Sequence, residues 1–196
     1  TLNHNPGVQL VPDEDGTLTV WIDSPGRSVN LFDAEMLTAL EATVEHIAAT
    51  NRHPVVFFRS RKAGCFFAGA DVTAIAGLRQ ADEVRAIITR GQQLMQRLEN
   101  LQATTVAIID GMCMGGGLEF ALACGYRVAT DASHTKLSLP EIRLGLIPSW
   151  GGTQRLPKLV GLQQALQMIL KGSSLAARKA KQVGLVDRVL ASESLE

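Results

Sequence analysis

The sequence predicts one α/β domain, because short buried strands alternate with amphipathic helices along the chain. The strand signals are short, uniformly apolar runs of the kind found in fully buried strands. The helix signals are longer segments in which apolar residues recur at three- and four-residue steps. With 196 residues, of which 46% are hydrophobic, the chain can bury one sizeable core. No internal repeat or linker divides it, so we expect a single domain over residues 1–196.

Each element follows from a local pattern, and alternating helices and buried strands are typical of the α/β class. Asp33 is a suitable cap for the first helix, and the second helix presents one apolar face from Val84 to Leu101. The predicted strands cover 17–23, 54–60, 104–110, 127–130 and 184–190. The predicted helices cover 34–49, 82–101, a short segment after Gly111, 161–171 and 175–183.

Composition and charge exclude several classes of function. Nineteen basic and nineteen acidic residues cancel, which gives no electrostatic reason to expect nucleic acid or an anionic membrane as partner. The apolar runs are too short to span a bilayer, and the stretch TLNHNPGVQL over 1–10 shows no basic-then-apolar signal pattern. Three cysteines without a CxxC pair predict a reduced, cytoplasmic location. Four scattered histidines argue against a metal site.

The stretch GMCMGGGLEFALACG, residues 111–125, carries three consecutive glycines into a helix. It fails the dinucleotide fingerprint at Phe120, and it fails the P-loop pattern because Gly117 and Leu118 stand where Lys and Ser or Thr are needed. The chain also has no G-x-S-x-G of a serine hydrolase. A helix N-terminus with open backbone remains, and such a site favours negative charge, including a transient oxyanion. We expect the glycines to leave open space there for a ligand.

A second turn built from small residues lies upstream, in CFFAGADV over 65–72. It follows a predicted strand and ends at Asp71, a suitable helix cap. Ala68, Gly69 and Ala70 could present backbone amides to a ligand. The alternative is a tight strand-to-helix turn with no other role. Two turns of this kind in one domain favour an oxyanion hole.

Two glutamates stand in apolar surroundings, Glu119 in the first turn of the glycine-led helix and Glu141 after Pro140, 22 positions later. Desolvation and mutual repulsion raise the pKa of such carboxyls, which suits acid–base catalysis. The alternatives are structural: Glu119 could complement the helix dipole, and Glu141 could be a surface charge on a loop. The pair together with the two turns favours a catalytic role.

Three ordered motifs, FFAGADV, GMCMGGGLEFALAC and LPEIRLGLIPSWGGTQRLPKLVG, resemble the enoyl-CoA hydratase/isomerase (crotonase) family. The likeness is greatest to the hydratase domain of multifunctional α subunits of bacterial fatty-acid oxidation complexes, and it runs from SPGRSVNLFD to GLVDRVL. It implies a crotonase-like spiral core of ββα units. It also implies that the backbone amides of Ala70 and Gly116 bind the thioester oxygen of the substrate.

The same resemblance implies the reaction. Glu119 would activate a water for attack at Cβ, and Glu141 would deliver a proton to Cα. The expected activity is hydration of trans-2-enoyl-CoA in fatty-acid β-oxidation, with isomerisation of 3-enoyl-CoA as a second activity. Coenzyme A would be part of the substrate, and no other cofactor and no metal is expected.

The remaining implied contacts belong to the substrate. The coenzyme A part would bind near the GRSVN segment and the AGAD turn, although Arg27 could be only a turn residue. Trp150 stands where relatives commonly have a small residue, so we expect it to close or reshape the acyl pocket. The implied substrate-binding residues are Arg27, Ser28, Val29, Ala68, Gly69, Asp71, Val72, Gly115 and Trp150.

Two other functions and one expectation about assembly stay open at this stage. The basic run AARKAKQ over 176–182 could belong to a non-catalytic or RNA-associated binding module, although a solvated helix face explains it more simply. An acyl-CoA thioester hydrolase is the other alternative. We expect the chain to be the N-terminal part of a longer polypeptide, without the C-terminal helices of the family. Homo-oligomers or further domains of a fatty-acid oxidation complex, such as a dehydrogenase, are the expected protein partners.

Overall fold

Two β-sheets of different size frame the molecule in the computed structural model, which describes residues 6–77 and 79–194. The strands are β1 (Val8–Pro12), β2 (Leu18–Ile22), β3 (Val55–Ser60), β4 (Cys65–Phe67), β5 (Thr104–Ile109), β6 (Met112–Met114), β7 (Tyr126–Thr130), β8 (Lys136–Ser138), β9 (Ser174–Ala176) and β10 (Arg188–Leu190). The α-helices are α1 (Ala34–Thr50), α2 (Val72–Gly77), α3 (Ala81–Glu99), α4 (Gly116–Ala123), α5 (Gly152–Lys171) and α6 (Ala177–Gln182). Short 3-10 helices cover Glu141–Leu144 and Ser192–Ser194. The predicted α/β class is confirmed.

The chain winds through the two sheets in a regular order. The larger sheet has the strand order β1-β2-β3-β5-β7-β10, and the smaller has β4-β6-β8-β9. From β3 to β8, each pair of successive strands places its first member in the larger sheet and its second in the smaller sheet. A helix or pair of helices then leads to the next pair. This is the spiral of ββα units that the family resemblance implies.

The core lies between the sheets and helix α4, and phenylalanines occupy its centre. Phe58, Phe66, Phe67 and Phe120 are all fully buried. The Phe58 ring meets the Phe120 ring edge-on at 5.1 Å between centroids, a favourable aromatic geometry. Every residue of α4 is buried, which explains why its sequence has no polar face.

Helices α1 and α2 begin at the caps that the sequence predicts. The Asp33 side chain accepts the backbone N–H of Met36 at 2.9 Å, and the Asp71 side chain accepts that of Thr73 at 3.0 Å. Each contact satisfies a donor that the first helical turn leaves open.

Helix α3 departs from its prediction in burial. Gly91, Leu94, Met95 and Leu98 are buried, but Val84 is 39% exposed. The reason is that α3 packs on α1 and α4 through its C-terminal half. Among the described residues, no helix is long and apolar enough to cross a membrane.

The C-terminal elements differ most from prediction. The helix expected at 161–171 is the second half of the longer helix α5, which is interrupted at Gly161 by a φ of 77°. The segment expected as a helix at 175–183 is helical as α6 from Ala177 to Gln182, but its first residues belong to strand β9, which is antiparallel to β8. The strand expected at 184–190 is shorter, since β10 covers only Arg188–Leu190. Short strands β1, β4, β6 and β8 were not predicted.

A buried arginine joins the segment just before β10 to the central helix. The Arg127 guanidinium donates to the carbonyl of Cys124 at 2.8 Å and to that of Ala121 at 3.4 Å. It also pairs with the carboxylate of Asp187 at 3.0 Å. The C-terminal carbonyls of α4 are thereby satisfied by a charge.

Candidate active site

The two turns of small residues lie side by side. Strands β4 and β6, which precede them, are parallel neighbours, so their carboxyl ends meet at the same edge of the smaller sheet. A Cβ added to Gly69 would lie 3.4 Å from the carbonyl oxygen of Met114. One added to Gly115 would lie 3.8 Å from the Cα of Gly69. The fold therefore joins two segments that the sequence could only propose separately.

One backbone amide is left open in the first turn. Ala68 donates its N–H to the carbonyl of Asn30 at 2.9 Å, and Asp71 donates to that of Phe32 at 3.2 Å. Among the described residues, the N–H of Ala70 between them has no hydrogen-bond acceptor. An unpaired N–H is rare in a folded protein unless water or a ligand accepts it.

The second turn leaves a similar amide. Gly115 donates its N–H to the carbonyl of Ser138 at 3.0 Å, and its own carbonyl accepts from Glu119. Within the part of the chain that the structure describes, the N–H of Gly116, the first residue of α4, meets no acceptor. The open end of α4 is thus directed at the same region as the Ala70 turn.

The glycines at the start of α4 allow close packing, and the expectation that they leave open space is wrong. A Cβ on Gly116 would lie 2.8 Å from Cζ3 of Trp150, and one on Gly117 would lie 2.4 Å from the Cβ of Phe67. Both separations are too short for real carbon atoms. Side chains are absent here because the Trp150 and Phe67 side chains occupy the space.

Glu119 is buried and firmly held. Its side chain is on α4, and the residue is 2% exposed. Oε1 accepts the backbone N–H groups of Trp150 and Gly152, each at 2.8 Å. Burial raises the pKa of Glu119, whereas the amides of Gly152 and Trp150 and the charge of Arg155 oppose that rise. A surface acid that only complements the helix dipole would not have these partners.

Glu141 begins the 3-10 helix after Pro140 and is partly buried. Its Oε1 lies 3.2 Å from the position of a Cβ on Gly115, which places the carboxyl group beside the glycine turn. Its Oε2 is buried and has no hydrogen-bond partner. Burial, with a smaller contribution from the nearby charge of Glu119, raises the pKa of Glu141 to about 7. A buried oxygen without a donor points to a missing water or ligand.

Most of the predicted substrate-binding residues are more exposed than Glu119. Arg27 pairs with Asp33 at 3.3 Å and with Asp71 at 3.2 Å, which ties the GRSVN segment to the Ala70 turn. A groove of about 430 Å³ runs beside Arg27 and Asp33. Ser28 is exposed and Val29 is half-buried. Of the three, Arg27 is joined to the turn through its ion pair with Asp71.

Val72 and Trp150 lie at opposite extremes of exposure. Val72, the first residue of α2, is 48% exposed, whereas Trp150 is only 5% exposed. The Trp150 ring meets the Phe32 ring edge-on at 5.2 Å. The tryptophan is therefore part of the core as well as a neighbour of the site.

Three residues that matter to the geometry were not singled out from the sequence. Asn30 is fully buried, and its side-chain amide donates to the carbonyl of Phe66 at 3.0 Å, which anchors the strand before the Ala70 turn. Gly152 binds Glu119, and the Arg155 guanidinium holds the carbonyl of Trp150 at 3.1 Å. The glycine pair at the start of α5, Gly151 and Gly152, was a usable signal, since it repeats the pattern of glycines leading into a helix. In the described part of the chain, no three His, Cys, Asp or Glu side chains cluster as a metal site.

Comparison with known proteins decides the family. Residues 14–196 match the family model described as enoyl-CoA hydratase/isomerase. The chain belongs to the enoyl-CoA hydratase/isomerase family. The expected membership, and with it the crotonase-like fold, is confirmed.

Individual members of the family show the same likeness. The chain is 44% identical over 177 residues to the fatty acid oxidation complex subunit alpha of Idiomarina loihiensis, covering 90% of this chain and 25% of that protein. It therefore spans about a quarter of the length of that curated relative.

Solved structures of the family agree in fold. An enoyl-CoA hydratase from Geobacillus kaustophilus superposes with a TM-score of 0.91 at 28% identity, covering 97% of this chain and 70% of that one. The human mitochondrial delta3-delta2-enoyl-CoA isomerase gives 0.87 at 29% identity, covering 95% and 72%. Both hydratases and isomerases thus share this architecture.

Proposed function

We propose that this chain hydrates trans-2-enoyl-CoA to 3-hydroxyacyl-CoA. The observation that carries the proposal is the unpartnered, buried Oε2 of Glu141, which lies beside the glycine turn and near the amide-bound carboxylate of Glu119. A water held between the two carboxyl groups would give that oxygen a partner. Such a pair, with pKa values shifted by burial, supplies a base and an acid in one site.

Each group has one task in the proposed reaction. Glu119, ionised and oriented by two amides, takes a proton from the water as its oxygen bonds to Cβ. The π electrons of the double bond move toward the thioester oxygen and form an enolate. Glu141, whose pKa of about 7 keeps it partly protonated near neutral pH, gives its proton to Cα. Water is thereby added across the double bond, and a proton transfer between the glutamates restores the starting state.

The open amides of Ala70 and Gly116 would hold the thioester oxygen while it carries the enolate charge. Both belong to turns at one edge of the smaller sheet, and both lack an acceptor among the described residues. Donors preorganised in this way stabilise the transition state more than the ground state. Loss of one such donor costs roughly 3–4 kcal/mol of barrier in other enzymes.

The coenzyme A part of the substrate would bind along the groove beside Arg27, and no cofactor beyond the substrate is invoked. Moving a proton between Cα and Cγ through one glutamate would shift a 3-enoyl double bond, so isomerisation is a second activity of the same site. We further propose that the protein works in the cytoplasm in fatty-acid oxidation, as part of an oligomer or of a larger α subunit.

The test uses butenoyl-CoA and follows two signals. We expect the absorbance of the conjugated thioester to fall while no free thiol is released, because hydration removes the double bond and leaves the thioester intact. Release of thiol at the same rate would indicate a hydrolase and overturn the proposal. No change in either signal would favour a non-catalytic binding module.

A further inference from the structure

The indole of Trp150 fills the space between three elements of the core. Its six-membered ring meets Gly116 at the start of α4, where a Cβ would lie 2.8 Å from Cζ3. Its five-membered ring meets Gly91 in the middle of α3, where a Cβ would lie 2.2 Å from Nε1. Glycine is unfavourable inside a helix. At Gly91 it has a structural reason, because the indole occupies the space where a side chain would lie. We call this space the notch at Gly91.

The same residue touches the groups assigned to chemistry. The Trp150 backbone N–H binds Oε1 of Glu119 at 2.8 Å, and its ring adjoins Gly116. With the thioester oxygen on the Gly116 amide and Cβ facing Glu119, the acyl chain beyond Cβ starts between these two residues. Trp150 forms the wall of that space on the side of α3.

The ring has little freedom to move aside. The carbonyl of Trp150 is held by Arg155 at 3.1 Å, and the preceding carbonyl, of Ser149, accepts the side-chain amide of Gln92 at 2.8 Å. The backbone is thus fixed on both sides of the amide that binds Glu119. The edge-on contact with Phe32 holds the third side of the ring.

We propose that Trp150 is a specificity-determining residue that ends the acyl site and limits this enzyme to short-chain enoyl thioesters. The inference rests on the proposed function, because it takes the acyl chain to lie between Glu119 and Gly116. A long chain would have to displace a ring that contacts α3, α4 and Phe32 at once. Displacing it would lose packing contacts that a short chain leaves intact.

The first test compares kcat/KM for butenoyl-CoA and dodecenoyl-CoA in wild type, Trp150→Phe and Trp150→Ala. The backbone N–H that binds Glu119 survives in both variants. We expect the ratio of long-chain to short-chain kcat/KM to rise at least about tenfold in Trp150→Ala, with Trp150→Phe between. Trp21→Ala is the matched control, because Trp21 is stacked with Arg59 and Arg61 instead, and its ratio should stay at the wild-type value. An unchanged ratio in a folded Trp150→Ala protein overturns the inference.

A second test needs no turnover. The sequence has two tryptophans, so Trp21→Phe leaves Trp150 as the only tryptophan. Butyryl-CoA cannot be hydrated, and we expect its binding to change the fluorescence emission of Trp150. We expect lauroyl-CoA to bind at least about tenfold more weakly than butyryl-CoA. Equal affinity for the two chains overturns the inference, even if Trp150→Ala fails to fold. Selective binding of butyryl-CoA without hydration of any enoyl-CoA would instead overturn the proposed function and leave the short acyl site in place.

Discussion

The backbone nitrogen of Gly152 lies 2.8 Å from Oε1 of Glu119, although 33 positions of sequence separate the two residues. The amide of Trp150 reaches the same oxygen at the same distance. Two donors on one oxygen fix the orientation of the carboxyl group and favour its ionised form. Glu141 has no such donors on Oε2, so the two acids have opposite environments within one site.

Replacing either acid should remove most of the hydratase activity. In Glu119→Gln and Glu141→Gln the shape is kept but a proton acceptor or donor is lost, so we expect kcat to fall roughly 10²–10⁴-fold. Initial rates with butenoyl-CoA measure the effect. Glu45→Gln, on the exposed side of α1, is the control and should match wild type. Near-normal turnover by either site variant would rule out the two-carboxylate mechanism.

The stability of the protein should depend on the ionisation of Glu141. Burial raises its pKa from 4.5 to about 7, so the stability associated with its protonated form is complete below about pH 4.5 and is lost as pH rises through about 7. Glutamine cannot ionise, and Glu141→Gln should therefore gain in unfolding free energy relative to wild type between about pH 5 and about pH 8. Urea unfolding at both pH values measures this gain. A difference that is the same at both, as expected for Glu45→Gln, would contradict it.

Gly91 and Trp150 should be coupled energetically. In wild type, Gly91→Ala places a Cβ 2.2 Å from the indole, and such overpacking typically costs about 1–3 kcal/mol. In Trp150→Ala the notch is empty, and the same change should stabilise α3 by up to about 1 kcal/mol. Urea unfolding of the four proteins forms the double-mutant cycle. Gly77→Ala, where a Cβ meets nothing within 4 Å, is the control and should show no coupling to Trp150.

Arg155 should act as a positioning residue for Glu119. It pairs with Glu99 at 2.7 Å and holds the Trp150 carbonyl, so Arg155→Gln should release the turn and lower kcat by up to about 100-fold. Its charge also lowers the pKa of Glu119. Without it, the rise of activity with pH should therefore move to higher pH.

The chain offers a matched control for this substitution. Arg90 pairs with Glu41 at 2.7 Å and joins α3 to α1, away from the site. Arg90→Gln should affect stability and leave the pH–rate profile in place. Equal profiles for the two variants would show that Arg155 contributes only to stability.

The sequence predicted the larger elements because their signals are local. Strand β3 begins with four consecutive apolar residues, 55–58, and Asp33 caps a helix that follows directly. Strands β4 and β6 have three residues each, which is too short for any periodicity to register. They exist because the neighbouring strands of the small sheet pair with them.

The packing of the glycines could not be predicted for a related reason. The glycine triplet was visible, but the occupant of its space is the ring of Trp150, which arrives from a distant turn. The notch at Gly91 is a third part of the same contact. The contact involves three segments that are distant in sequence, so the role of each glycine becomes clear only when the fold has brought them together.

The hydrogen bonds of Arg127 bear on the order in which the protein is assembled on the ribosome. Asp187, which pairs with the guanidinium, lies 60 positions further along the chain. Until Asp187 has emerged, the buried charge of Arg127 has only carbonyl oxygens as partners, and an uncompensated buried charge strongly opposes a closed core. We therefore expect helix α4, which carries Glu119, to remain loose on the nascent chain. Pairing of Asp187, just before the last described strand, with Arg127 would then complete the core and allow the nascent domain to bind a thioester.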